Sequence, residues 1–167
     1  MALPVARRSD LRQKLRPFLL MLAPVASIVL HIKVPLFSDY FSFLDPPLLV
    51  TVYFALLHRD AVQALFIGCA IGLAQDALSS NPIGQFGIVK TLVGYIAASA
   101  SQHLNVENMV ARMGFAFVFY LFHQALYAAL GASLLGQQVS LNPAEAILFA
   151  IMNAAVAAPL FQLLDRL

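Results

Sequence analysis

The chain has 167 residues, of which 61% are hydrophobic and 11% charged, and its mean hydropathy is +0.83. A water-soluble domain is roughly 45–50% apolar and about 25% charged, so this chain has too few polar groups to cover a surface facing water. Soluble enzymes, disordered tails and nucleic-acid-binding modules are excluded, which leaves a protein that crosses a membrane several times. The net charge of +2 says less than where the charges fall. The single cysteine, Cys69, lies inside an apolar run, so no intrachain disulfide is possible and the redox compartment stays open.

One hydrophobic span takes about 20 residues, so six spans with short connections fill the chain as a single integral membrane domain over 1–167. Arg7, Arg8, Arg12, Lys14 and Arg16 precede the first span, 17–32, in which Pro17 suits a helix start and Pro24 a kink. The apolar stretch ahead of the small residues at 23–27 is too short for a signal-peptide core, so the segment is expected to be retained. Residues 33–45 carry Phe37, Tyr40, Phe41 and Phe43; aromatic rings favour the headgroup zone, which places this connection along the bilayer surface. Asp45-Pro46-Pro47 reads as an N-cap followed by helix-starting prolines. The second span, 44–57, covers only about 21 Å of a hydrocarbon core about 30 Å thick. It either begins nearer Phe41 or sits in thinned or protein-lined surroundings.

His58-Arg59-Asp60 makes a tight polar turn into the third span, 61–78. The turn formers Ser79-Ser80-Asn81-Pro82-Ile83-Gly84 lead to the fourth, 85–101. A polar break at 103–108 precedes the fifth span, 110–135, and the sixth occupies 144–164. With the N-terminus in the cytoplasm, that side also receives Arg59, Arg112 and Arg166, the outside receives Lys33, and Lys90 falls within a span. This is the bias that the positive-inside rule requires. A re-entrant second segment would put Arg112 and Arg166 outside, so six spans with both termini in the cytoplasm fit better.

Polar and small residues within the spans single out candidate positions. Ala64, Gly68, Gly72 and Asp76 recur every four residues and so share one face of the third helix, where small side chains let a neighbouring backbone approach closely. Asp76 either hydrogen-bonds the following loop backbone, with Gly84 at its end, or forms an ion or proton site. Lys90 either snorkels to headgroups or pairs with Asp76 across the hairpin. Tyr120, His123, Gln124 and Tyr127 cluster on one side of the fifth helix, as interhelical hydrogen-bonding groups or as the lining of a cavity. In the sixth, Ala146, Ala150, Ala154 and Ala158 form a second small-residue stripe beside Asn153, an interhelical hydrogen-bonding candidate, and Pro159 interrupts the helix near its end.

His-Glu-x-x-His, Gly-x-Ser-x-Gly and Walker-type glycine loops are all missing. The spans hold one acid, so a two-aspartate intramembrane protease cannot be built. His123 has no cysteine or carboxylate at ligand spacing, so neither a metal nor a cofactor is expected. An object of this kind passes a solute, binds one, or docks other membrane proteins.

From Pro46 to Gly94 the chain resembles MreD, the integral-membrane component of the bacterial rod-shape machinery. Asp45-Pro46-Pro47-Leu48-Leu49, Tyr53, His58-Arg59, Gly68, Gly72-Leu73, Asp76, Pro82-Ile83-Gly84 and Tyr95 carry the likeness, with Asn153, Pro159 and Arg166 near the C-terminus. The resemblance implies a non-catalytic, all-α protein of the bacterial cytoplasmic (inner) membrane, similar in fold to the substrate-binding subunits of energy-coupling-factor transporters. It implies association with MreC, a bitopic membrane protein, alongside MreB, RodA and a class B penicillin-binding protein in lateral peptidoglycan synthesis. On that basis Phe37, Tyr40, Phe41 and Phe43 become candidate docking residues for the MreC helix. The alternative is a small-molecule-binding subunit of a membrane transporter, lined by the Tyr120–Tyr127 cluster, Asp76 and Asn153. Lipid handling by a small scaffold is a further class.

Overall fold

Prolines and short polar side chains set the helix ends of this chain. In the computed structural model, which describes residues 20–33, 43–79, 82–136 and 142–166, six helices account for all the regular structure described. They are α1 (Leu20–Lys33), α2 (Pro46–His58), α3 (Ala61–Leu78), α4 (Gln85–His103), α5 (Met109–Leu135) and α6 (Pro143–Arg166). Of these, α3, α5 and α6 are each long and apolar enough to cross a membrane. The start of the first expected span at Pro17, and Phe37, Tyr40 and Phe41, lie outside the described residues.

Asp45 caps α2, its carboxylate accepting the Leu48 N–H at 2.9 Å, while Pro46 and Pro47 fill first-turn positions whose N–H groups would have no helical acceptor. Arg59, with φ of 51°, ends α2 and turns the chain; Asp60 then caps α3 through the Val62 and Gln63 N–H groups. Gly84 enters α4 with φ of +101°, a left-handed conformation that only glycine adopts without strain.

Helix α2 occupies the centre of the bundle. Every residue from Pro47 to Leu56 is buried, and α2 packs against α3, α4, α5 and α6. Its 13 residues reach about 20 Å, short of a bilayer core, but its neighbours are protein and not lipid, so no polar backbone is exposed to hydrocarbon. The protein-lined alternative is therefore the one realised. The outer helices turn large apolar side chains outward: Met21 of α1, Phe66 of α3, Val118 of α5 and Ile151 of α6 are each more than half exposed. Lys90, His123 and Asn153 point inward instead. Apolar outside and polar inside is the arrangement that a lipid solvent selects.

The closest helix pair is α3 with α4. A Cβ placed on Gly68 would overlap the Lys90 carbonyl, one on Gly72 the Phe86 carbonyl, and one on Gly94 the Ala64 carbonyl. The stripe seen in α3 is thus answered by a glycine of α4. In α6 the buried face runs through Ala150, Asn153, Ala154, Ala157, Phe161 and Leu164. A repeat of strictly four residues drifts off a helix face that recurs every 3.6, so Ala157 replaces Ala158 at the contact. Pro159 lies on the exposed side, where its missing N–H opens no gap in the core.

Candidate functional site: a buried charge cluster at the entry of helix α2

Because α2 starts in the protein interior, its capping carboxylate is buried as well. Asp45 is 6% exposed, and Lys90, one and a half turns into α4, is 0% exposed. The Lys90 ammonium donates to both carboxylate oxygens of Asp45, at 3.2 and 2.9 Å, and lies 5.2 Å from the centre of the Phe86 ring. Each charge here would be costly in a low-dielectric interior without the other.

Lys90 therefore pairs with Asp45, not with Asp76, and it does not snorkel. The Asp76 carboxylate is already committed: it accepts the Gly84 and Gly87 N–H groups at 2.9 Å and that of Phe86 at 3.1 Å. These are donors of the first turn of α4, which no carbonyl of the helix can satisfy. A carboxylate there also faces the positive end of the helix dipole. Of the two readings of Asp76, the geometry is that of the loop-fixing group.

His123 of α5 completes the cluster. Its Nε2 is 3.4 Å from the Lys90 Nζ and 3.6 Å from Asp45 Oδ2, and its ring lies parallel to Phe86 with centroids 5.9 Å apart. The sequence offers His123 no carboxylate at ligand spacing, and the fold brings Asp45 beside it from the start of α2. The count of one acid within the spans is corrected as well: Asp45 falls within 44–57 and Glu145 within 144–164, so with Asp76 the expected spans hold three. The two aspartates are held apart by separate partners, Lys90 and the first turn of α4. Two ligating groups do not make a metal centre, and among the described residues no set of three His, Cys, Asp or Glu could hold a metal ion.

Asn153 of α6 fastens the chain segment leading into this cluster. Its Oδ1 accepts the Asp45 N–H at 3.0 Å, and its Nδ2 donates to the carbonyls of Phe43 and Phe149. Phe43 stacks on Phe149 at 3.7 Å, and the Tyr120 hydroxyl donates to the Phe43 carbonyl while accepting from Gln124. The backbone of residues 43–45 is thus tied to α5 and α6, with Asp45 buried and the Phe43 side chain still exposed. Beside the cluster lies a cleft of about 230 Å³ bordered by His31, Asp45, Phe86, Tyr120, His123 and Tyr127, among others. Asp76 and Asn153 do not line it.

A second polar contact closes the other end of α2. Tyr53 donates to Asp165 at 3.1 Å, and Asp165 receives Arg112 at 2.6 Å, joining α2, α5 and α6. Sequence spacing gives no hint of this link, nor of Gly87 and Gly94, which the α4 pattern carries at three- and four-residue steps from Lys90.

Helices apolar on their outer faces, enclosing a paired charge and a set of interhelical hydrogen bonds, define an all-helical membrane protein. A protein-family model describing the rod shape-determining protein MreD matches residues 12–167. The chain belongs to the MreD family, whose members are rod-shape-determining membrane proteins and not a known class of enzyme. No curated protein and no solved structure matches it.

Proposed function

We propose that the chain is a non-catalytic scaffold of the bacterial elongation complex, docking an MreC-like bitopic protein and linking the MreB cytoskeleton to lateral peptidoglycan synthesis. In this reading it spans the inner membrane six times with both termini in the cytoplasm, and RodA and a class B penicillin-binding protein are its further partners. The observation that carries the reading is the family match across residues 12–167. Physical support comes from the exposed apolar helix faces, which suit contacts made within the bilayer. Asp45, Lys90 and Asn153 in its interior are engaged in holding helices together.

The transporter-subunit reading has the cleft beside His123 in its favour. Against it, about 230 Å³ falls below the roughly 300–1,000 Å³ of sites for drug-sized ligands, and two of the residues proposed to line such a cavity point elsewhere. Mild-detergent co-purification of the tagged protein, read by mass spectrometry, separates the two. Recovery of a bitopic partner with cell-wall synthesis proteins is the expected result. Recovery of ATPase subunits with a coupling membrane protein, and no such partner, would overturn the scaffold reading.

A further inference from the structure

Helix α1 leaves space beside it on the bundle, and that space has one polar end. Ser27 and Ile28 of α1 are buried, while Met21 and Val25 are more than half exposed. Between α1 and α3, over α2, lies an apolar cleft of about 530 Å³, bordered by Leu20, Val25, Ile28, Phe54, Ala70 and Ala74, among others. Room for it exists because α3 presents only alanine at 70 and 74, one turn apart. His31 donates from Nδ1 to the Leu44 carbonyl ahead of α2, at 3.0 Å, so α1 and α2 run antiparallel. Leu20 and His58 therefore lie at the same end of the cleft. Among the described residues that line it, His58 alone has a polar side chain.

Its dimensions suit a hydrocarbon chain. Spread along the roughly 12 Å of α1 from Leu20 to Ile28, the volume has a section about 7 Å across. A helix with its side chains is about 10–12 Å across, too wide to enter. The polar end is cationic. His58 stacks on Phe54 with ring centroids 6.1 Å apart, and Arg59 follows it, exposed and with no ion-pair partner among the described residues. Gln102 donates to the Arg59 carbonyl at 2.9 Å, which fixes the backbone of this turn without engaging the guanidinium. The neighbouring Asp60 commits its Oδ1 to the Val62 and Gln63 N–H groups, where the positive end of the α3 dipole offsets its charge. In the sequence, Arg12, Lys14 and Arg16 come shortly before Leu20. A second apolar cleft against α1, about 250 Å³ and shared with α2 and α6, has no charged side chain or imidazole among its described walls.

We propose that the cleft between α1 and α3 binds one anionic phospholipid, an acyl chain lying along the two helices and the phosphate facing His58 and Arg59. An imidazole N–H and a guanidinium both donate to phosphate oxygens, and basic groups at the rim of a pocket between transmembrane helices select anionic headgroups. The inference does not rest on the scaffold reading.

The full-length chain in mild-detergent micelles is titrated with a phosphatidylglycerol that carries a diazirine in one acyl chain, and the photolabelled peptides are mapped by mass spectrometry. The expected result is saturable labelling of α1 and α3 along the cleft, displaced by unlabelled phosphatidylglycerol at several-fold lower concentration than by phosphatidylcholine. Arg59→Asn removes the charge at a left-handed position that asparagine tolerates, and should weaken the labelling roughly fivefold. Ala70→Phe fills the cleft from an exposed position, leaves the cations in place, and should abolish the labelling. Ile151→Phe, on the outer face of α6, should change nothing. Wild-type elution volume and thermal unfolding confirm that each variant folds. Labelling spread evenly over the outer faces of all the helices would mean bulk lipid only and would overturn the proposal. Equal displacement by phosphatidylcholine, or cleft labelling unchanged in Ala70→Phe, would overturn it too. So would a cleft that takes up lipid only after a co-purified protein is stripped away, which would assign it to that partner.

Discussion

Asp45 does three things at once: it caps α2, neutralises Lys90, and offers its own N–H to Asn153. The first of these is legible in the sequence, because Asp-Pro-Pro ahead of an apolar run is a helix start. The other two are not, since Lys90 and Asn153 are 45 and 108 positions away and nothing local marks them as neighbours. Adjacency of the third and fourth helices made Asp76 the nearest visible partner for Lys90, but the three N–H groups at the start of α4 hold it first. The consequence is measurable. Lys90→Met should destabilise the protein by about 3–5 kcal/mol, because it leaves Asp45 buried and unpaired. Asp45→Asn keeps the cap on Leu48 yet strands the ammonium, with a similar cost. The double variant Asp45→Asn/Lys90→Met should recover most of that loss. Unfolding in mixed micelles, read as a double-mutant cycle, checks the pair; additive losses would show that the two residues are not coupled.

At the scale of elements, the α3 stripe was readable because four-residue spacing keeps side chains on one face, and the structure places Gly68 and Gly72 against the backbone of α4. Its counterpart on α4 was harder to see, since Gly87 and Gly94 flank a lysine in a helix with a mixed pattern. The same substitution should therefore have opposite signs at different glycines. Gly68→Ala, Gly72→Ala and Gly94→Ala each set a methyl group against a backbone carbonyl that cannot rotate away, so they should destabilise by about 1–3 kcal/mol. Gly114→Ala in α5 meets nothing within 4 Å and should stabilise by about 0.5–1 kcal/mol, through helix propensity alone. Thermal unfolding of the four variants provides the check. A uniform sign would remove close α3–α4 packing from the account. The anchoring of residues 43–45 was not legible, because aromatic content says nothing of the Phe43–Phe149 stack or of the Asn153 bonds that tie this segment to α6.

For the whole molecule, composition sufficed to choose a membrane as the solvent, and the distribution of Lys and Arg supplied an orientation. That orientation has its own test. With Cys69 replaced by Ala, new single cysteines at Asn105 and Gly136 lie in the α4–α5 connection and just beyond α5, on opposite sides of a six-span protein. A membrane-impermeant maleimide applied to intact spheroplasts should label the Gly136→Cys variant and spare Asn105→Cys. The reverse pattern would invert the topology, and equal labelling would refute six spans.

The central claim is that buried charge in this molecule serves structure, so that its function in cell shape needs the helices and not the chemistry of Asp45 and Lys90. The most direct measurement replaces the cell's own copy with the Asp45→Asn/Lys90→Met double variant, expressed at wild-type level in the membrane, and scores cell shape. The account predicts rods indistinguishable from those supported by the wild-type chain. Rounded cells carrying a stably folded double variant would contradict it and would assign the pair a role in ion or proton chemistry.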